Sequence, residues 1–133
     1  MNKKLKCILL IDDNPHDNFF HERAIKAYDE TEIVVTKDSG AEALEYLKAK
    51  TGPHSDLIFL DINMPAMNGW EFLQQYSQLD KTVREQTIII MLTTSANPSD
   101  IEKGQKNAFV SDYITKPLTK EKMQLIADKY FGE

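Results

Sequence analysis

Short, unbroken apolar runs alternate with helical spacings along the chain. Residues 7–11 (Cys-Ile-Leu-Leu-Ile), 33–35, 57–60 and 88–92 are continuous and rich in branched side chains. They lack the in-and-out alternation of a half-exposed sheet, so they predict parallel strands covered on both faces. Residues 113–115 (Tyr-Ile-Thr) form a fifth, shorter and more polar candidate that suits a sheet edge. Helical spacing fills the intervals. Residues 15–28 place Phe20, Ala24 and Ala27 at i, i+4 and i+7, and residues 40–50 place Gly40, Leu44 and Leu47 at the same spacing. Ser39 and Glu42 stand in capping-box register ahead of that second segment. Residues 69–79 offer Leu73, Tyr76 and Leu79. Asn97-Pro98 reads as a cap followed by proline at the first helical position, opening a helix of about ten residues. The apolar face of that helix (Ile101, Gly104, Ala108) is thin. From about Thr119, a last helix carries Met123, Ile126, Ala127 and Tyr130. The order is βαβαβαβαβα with short connections. Because β-α-β crossovers are right-handed, this alternation predicts a doubly wound α/β fold with helices on both faces of a parallel sheet. No repeat or linker interrupts it, so residues 1–133 are expected to form a single domain with no second, output domain.

Composition narrows the function. The chain has 133 residues, 21 acidic and 16 basic, for a net charge of −5. That balance is a poor match to a polyphosphate backbone, so no nucleic-acid partner is expected. The single cysteine, Cys7, leaves neither a disulfide framework nor a multi-cysteine metal site and reads as inert core. The basic N-terminus is followed by only five apolar residues before Asp12. A signal peptide needs about 7–15 and a membrane helix about 18, so a cytoplasmic protein with no membrane association is expected.

The chemistry gathers where the strands end. In a doubly wound sheet, ligands bind beyond the carboxyl ends of the strands. Those ends carry Asp12-Asp13, then Lys37-Asp38 with no evident role, then Asp61, Thr93-Thr94 and Lys116-Pro117. Three carboxylates on one rim repel each other and need compensation. An all-oxygen site suits Mg2+, a hard cation. Adding a lysine and a hydroxyl completes the set a phosphoryl group requires: a carboxylate to attack phosphorus, with cation and ammonium to neutralise the equatorial oxygens. The blander alternatives are that Asp12-Asp13 merely cap a helix, that residues 64–69 are a plain turn, that Thr93 is an idle strand-end hydroxyl and that Tyr113 is half-buried packing. His16, His21 and His54 lack metal spacing and are expected on the surface. Trp70 is compatible with core or with an exposed contact.

Together, Asp12-Asp13, the run Asp61-Ile-Asn-Met-Pro-Ala-Met-Asn-Gly69, Thr93 and Lys116-Pro117 resemble, in order and interval, the receiver domain of bacterial two-component response regulators. The resemblance spans the whole chain. The Thr93-Thr94-Ser95 run further resembles the small stand-alone receivers, including those that partner bacterial phytochromes. The likeness implies a flavodoxin-like (βα)5 fold with strand order 2-1-3-4-5. It implies that Asp61 is the phosphoacceptor, and that Mg2+ is held by Asp13, Asp61 and the Asn63 carbonyl, with Asp12 helping through water. Lys116 and Thr93 would contact the phosphoryl oxygens, and Tyr113 would turn inward when Thr93 moves. Thr94, larger than the alanine usual there, would limit water access, and the Lys116-Pro117 bond would be cis. The implied partners are a sensor histidine kinase or phosphotransfer protein and a downstream protein whose identity the sequence does not give. A homodimer on phosphorylation stays open. Such a module is a switch with only slow self-phosphorylation and self-dephosphorylation, not an enzyme. The competing reading is a haloacid-dehalogenase-like phosphatase, which also places an aspartate nucleophile after a hydrophobic strand. Against it, Asn63 stands where that class uses an acid/base aspartate, and Asp12-Asp13 would go unexplained. A third reading, a degenerate receiver that binds without phosphorylation, conflicts with the intact Asp13, Asp61, Thr93 and Lys116 set.

Overall fold

The computed structural model describes residues 6–28, 33–49, 52–94 and 98–131. Five parallel strands, β1 (Cys7–Ile11), β2 (Ile33–Lys37), β3 (Leu57–Asp61), β4 (Ile88–Thr93) and β5 (Val110–Thr115), form one sheet in the order β2-β1-β3-β4-β5. The helices are α1 (Pro15–Tyr28), α2 (Gly40–Ala49), α3 (Gly69–Tyr76), a single turn α4 (Lys81–Arg84), α5 (Pro98–Lys106) and α6 (Lys120–Phe131). Central β1 and β3 are buried at every position, which is why their sequences are unbroken apolar runs. Their side chains alternate between two cores. Leu9, Ile11, Ile58, Leu60, Ile89 and Met91 meet α2 and α3. Ile8, Leu10, Leu57, Phe59, Ile90 and Leu92 meet α1 and α6 on the other face.

Several expectations change in detail. The pattern at residues 69–79 breaks after Tyr76, and α4 is an added element. The edge strand β5 is longer than residues 113–115, and its register against β4 shifts between Ile89 and Ile90. The Asn97 cap lies outside the described residues. Ala108 falls beyond the end of α5 and is exposed, so Gly104 is that helix's one buried residue. The largest correction concerns α1. Phe20 is 61% exposed and Phe19 57%, while the buried face is Asn18, His21, Ile25 and Tyr28. The helix is rotated from its apolar stripe, so His21, expected on the surface, is buried. His16 and His54 are exposed, and Cys7 is a free thiol in the core.

The β3–α3 connection carries unusual backbone close to the site. Ala66 adopts a positive φ of 67° in a three-residue turn closed by the Met67 N–H on the Pro65 carbonyl at 2.7 Å. The Gly69 N–H bonds back to the Ile62 carbonyl at 2.8 Å. Asn68 and Glu71 then form a complete capping box that starts α3. The return is so tight that a Cβ on Gly69 would lie 2.9 Å from the Asp61 carbonyl oxygen and 3.0 Å from Ile62 Cα. Gly69→Ala is therefore expected to lower stability by about 1–3 kcal/mol, because backbone has to move to admit the methyl. Urea denaturation measures it, and an unchanged midpoint would show that the loop yields without cost.

Candidate functional site

The two buried carboxylates at the carboxyl edge are delivered by the buried central strands, and Lys116 by the edge strand β5. Asp12 follows β1, and its own N–H bonds the Lys37 carbonyl of β2 at 3.1 Å, so it continues the ladder. Its side chain is 1% exposed, and Oδ1 accepts from the Asn14 N–H at 3.0 Å. Asp61 ends β3 at 4% exposure, and its Oδ1 accepts the Asn63 N–H at 3.3 Å. Asp13 stands exposed at the rim. Carboxylate oxygens of Asp12, Asp13 and Asp61 lie within 4.8 Å of one another. Thr93 ends β4, one residue beyond the Asp61–Leu92 pair, and is buried. The Thr93 carbonyl accepts the Lys116 N–H at 2.7 Å, locking the end of β5 beside it. The Lys116-Pro117 bond that follows is cis.

Lys116 points into the acidic cluster. Its Nζ lies 2.7 Å from Asp12 Oδ2, 2.9 Å from Asp17 Oδ2 and 3.6 Å from Asp61 Oδ1. The Asp17 contact is a well-directed hydrogen bond, whereas Asp12 Oδ2 is a close ion pair set off that direction. Burial alone would lower the lysine's pKa, but the Asp12 and Asp17 carboxylates outweigh it and raise it. Asp61 responds differently. Burial, and then the Asp12 charge, push its carboxyl up to about 6, although Lys116 and the Asn63 N–H pull the other way. One ammonium therefore leaves the cluster short of positive charge.

The residues singled out in the sequence fall into two groups. Asp12, Asp13, Asp61 and Lys116 come together at one rim. Thr93 lies at the adjacent strand end, and Asn63 sits in the loop just past Asp61. Tyr113 is half-buried, its ring against Gly104 of α5 and its hydroxyl donating to the Ile101 carbonyl at 3.1 Å. Trp70, undecided in sequence, is half-buried with Nε1 donating to Asp100 of α5 at 3.3 Å. Two groups, Asp17 and Asn18, carry no signal of their own in the sequence, and a third, His21, was expected on the surface. Asp17 bonds Lys116, Asn18 donates its side-chain amide to the Asp12 carbonyl at 2.8 Å, and His21 is buried behind them. The available signal was the i, i+4 spacing of Asp17 and His21, which puts both on one face of α1.

A set of three carboxylates, hard oxygen donors carrying an uncompensated charge that raises Asp61, fits a divalent cation such as Mg2+. Among the described residues no helix is long and apolar enough to cross a membrane.

Comparison with known proteins agrees with this geometry. The response regulator receiver domain family matches residues 8–128. A two-component response regulator of Oryza sativa subsp. japonica is 27% identical over 98% of both chains. Other curated relatives are longer, and the chain covers 56% of one and 7% of another. Among solved structures, a two-component response regulator from Cytophaga hutchinsonii superposes with a TM-score of 0.89 at 30% identity, covering 98% of this chain and all of that one. A bacteriophytochrome response regulator superposes with a TM-score of 0.77 at 30% identity, covering 97% of this chain and 79% of that one.

The raised carboxyl gives a pH-dependent test. Folding favours the protonated form of Asp61, whose folded pKa of about 6 exceeds its ordinary 3.8. That stability is present below the lower value and lost as pH rises through the higher one. An amide at this position escapes the loss. In metal-free buffer, Asp61→Asn is expected to raise the melting temperature near pH 7.5, with the gain shrinking toward about pH 4.5. A gain that did not depend on pH would contradict a buried, uncompensated charge.

Proposed function

Since the chain belongs to the response regulator receiver family, a family of phosphoaccepting signalling switches rather than turnover enzymes, we propose that Asp61 is the residue that takes the phosphoryl group. The observation that supports it is the buried Asp61 carboxylate with the Lys116 ammonium 3.6 Å away, flanked by Asp12 and Asp13. Membership in this family implies a kinase partner. We take that partner to be a sensor histidine kinase or a phosphotransfer protein, acting on this domain in the cytoplasm.

In this reading an Asp61 oxygen attacks phosphorus, the bond from phosphorus to the donor nitrogen breaks, and an acyl phosphate forms on Asp61. Asp13, Asp61 and the Asn63 carbonyl would hold Mg2+, with Asp12 supporting it through water. When bound, the metal neutralises charge on the phosphoryl oxygens. Lys116 shifts toward those oxygens from its resting bonds, and the Thr93 hydroxyl donates to one of them. Burial at the strand ends keeps these donors in place before the phosphoryl group arrives, so little reorganisation opposes the step. The signal then leaves through a protein surface. Tyr113 lies in β5 opposite Met91, two residues before Thr93 on the neighbouring strand β4, and is joined to α5 by the Tyr113–Ile101 hydrogen bond. Movement of the Thr93 hydroxyl changes the space that the Tyr113 ring fills, and with it the seat of α5.

Three tests check these roles. Incubation with acetyl phosphate and Mg2+ should give stoichiometric, hydroxylamine-labile label on the wild type and none on Asp61→Asn. Asp13→Ala should weaken Mg2+ binding strongly while raising the metal-free melting temperature, because one member of a like-charge cluster is gone. Label elsewhere on Asp61→Asn, or turnover of a generic phosphate ester, would overturn the assignment. For the output, beryllofluoride on the wild type should alter amide exchange in residues 98–115. Thr93→Ala should bind beryllofluoride yet lose most of that change. Exchange altered only around Asp12, Asp13 and Asp61 would put the output surface elsewhere.

A further inference from the structure

The ammonium of Lys116 is bound by a carboxylate outside the acidic cluster. Asp17 Oδ2 accepts from Nζ at 2.9 Å, within charge-assisted hydrogen-bond range, while Asp61 Oδ1 at 3.6 Å is beyond it. Asp17 is well placed for this. It lies in the first turn of α1, where its N–H is taken by the Asn14 side chain at 3.3 Å, and its carboxylate is turned to Lys116 across 99 residues of sequence. Below it, Asn18 ties α1 to the Asp12 carbonyl and His21 is buried, so the turn that carries Asp17 is fixed against the site. The lysine side chain is 11% exposed and has little room to reach other partners.

We propose that Asp17 is a positioning residue that, with Asp12, holds Lys116 on the α1 side of the site, keeping it off Asp61 while a cation binds and yielding the lysine when a phosphoryl group arrives. The inference rests on the reading of Asp61 as phosphoacceptor. An ammonium has three N–H donors. While Asp17 takes one of them and Asp12 pairs closely with the charge, Asp61 is only weakly paired, and the negative field that binds a cation survives beside a positive charge. Without Asp17, the lysine is free to close on Asp61 and compete with the metal. For an anion on Asp61 the consequence reverses, since a lysine released from Asp17 engages the phosphoryl oxygens more fully. Loss of this one carboxylate therefore shifts the two affinities in opposite directions, which generic damage to the site does not do.

The test is calorimetric titration of the full chain, first with Mg2+ alone and then with beryllofluoride at saturating Mg2+. Asp17→Asn is expected to weaken Mg2+ binding about threefold and to tighten beryllofluoride about threefold, the scale of one partly exposed charge pair. Asp17→Glu, which keeps the carboxylate, should restore much of both. In a Lys116→Met background, the Mg2+ shift caused by Asp17→Asn should shrink well below its value with the lysine present, because the effect runs through Nζ. Both affinities falling together, or a Mg2+ shift of full size without the lysine, would overturn the proposal. If the wild type binds beryllofluoride and Asp17→Asn binds both ligands as the wild type does, only the role of Asp17 fails. If the wild type binds no beryllofluoride, the phosphoacceptor reading fails and takes this inference with it.

Discussion

Four carboxylates face one ammonium at the carboxyl edge of the sheet. Asp12, Asp13 and Asp61 lie within 4.8 Å of one another, and Asp17 joins them through Lys116. At that separation each like-charge pair repels by on the order of 3 kcal/mol for an effective dielectric of about 20. A flexible loop would relax and disperse such a cluster. Here the chain has no such freedom, because Asp12 and Asp61 are held in the sheet's hydrogen-bonded ladder and Lys116 is tied by its N–H to Thr93. The core beneath the rim therefore holds the charges together. It consists of two apolar layers that fix the strands, and the strands fix the charges.

The surrounding polar groups are arranged to lower that cost without removing it. α1 starts two residues after Asp13, so the positive end of its backbone dipole faces the cluster. The Asn14 N–H bonds Asp12 and the Asn63 N–H bonds Asp61, each supplying a donor where negative charge is densest. Lys116 is kept charged by Asp12 and Asp17 despite its burial. Yet Asp61 is still pushed up to about 6, so compensation is incomplete. A site that neutralised itself fully would have no affinity left for a cation and no unbalanced carboxylate to react. A divalent cation held among these carboxylates would relieve that residual charge.

What the sequence disclosed and what it hid follow from the same division. The strands of the buried centre, such as residues 7–11 and 57–60, could be read directly because a strand covered on both faces has no choice but to be apolar. Their polar ends stood out for the same reason: Asp12 and Asp61 break unbroken apolar runs. α1 was misjudged because near the site that logic inverts. Asn18 is buried against the Asp12 carbonyl and His21 is buried on the same face, while Phe19 and Phe20 are turned to solvent, so the apolar stripe no longer marks the core face. The Asp17–Lys116 bond was invisible for a different reason. It joins positions 99 residues apart, and the one local hint, the i, i+4 spacing of Asp17 and His21, does not by itself set Asp17 apart from an ordinary acidic residue in a first helical turn.

The far side of the site is built to a lower standard of fixation. β5 is nowhere fully buried, and α5 buries only Gly104 among its nine residues. A Cβ there would approach the Tyr113 ring to 2.9 Å, so the helix owes its closeness to the missing side chain. Beyond that packing it is tethered by the Tyr113 hydroxyl on Ile101, Trp70 on Asp100 and the Lys103 ammonium over the Trp70 ring. Each such link contributes about 1 kcal/mol at a half-exposed position. In the reading proposed above, a doubly charged group on Asp61 would engage Lys116 and Thr93 through charge-assisted bonds worth more than that. The central strands cannot move in response without opening both cores. On that reading, the strain of a rearranged Thr93 would fall on the weakest neighbour, and that is the junction of Tyr113 with α5.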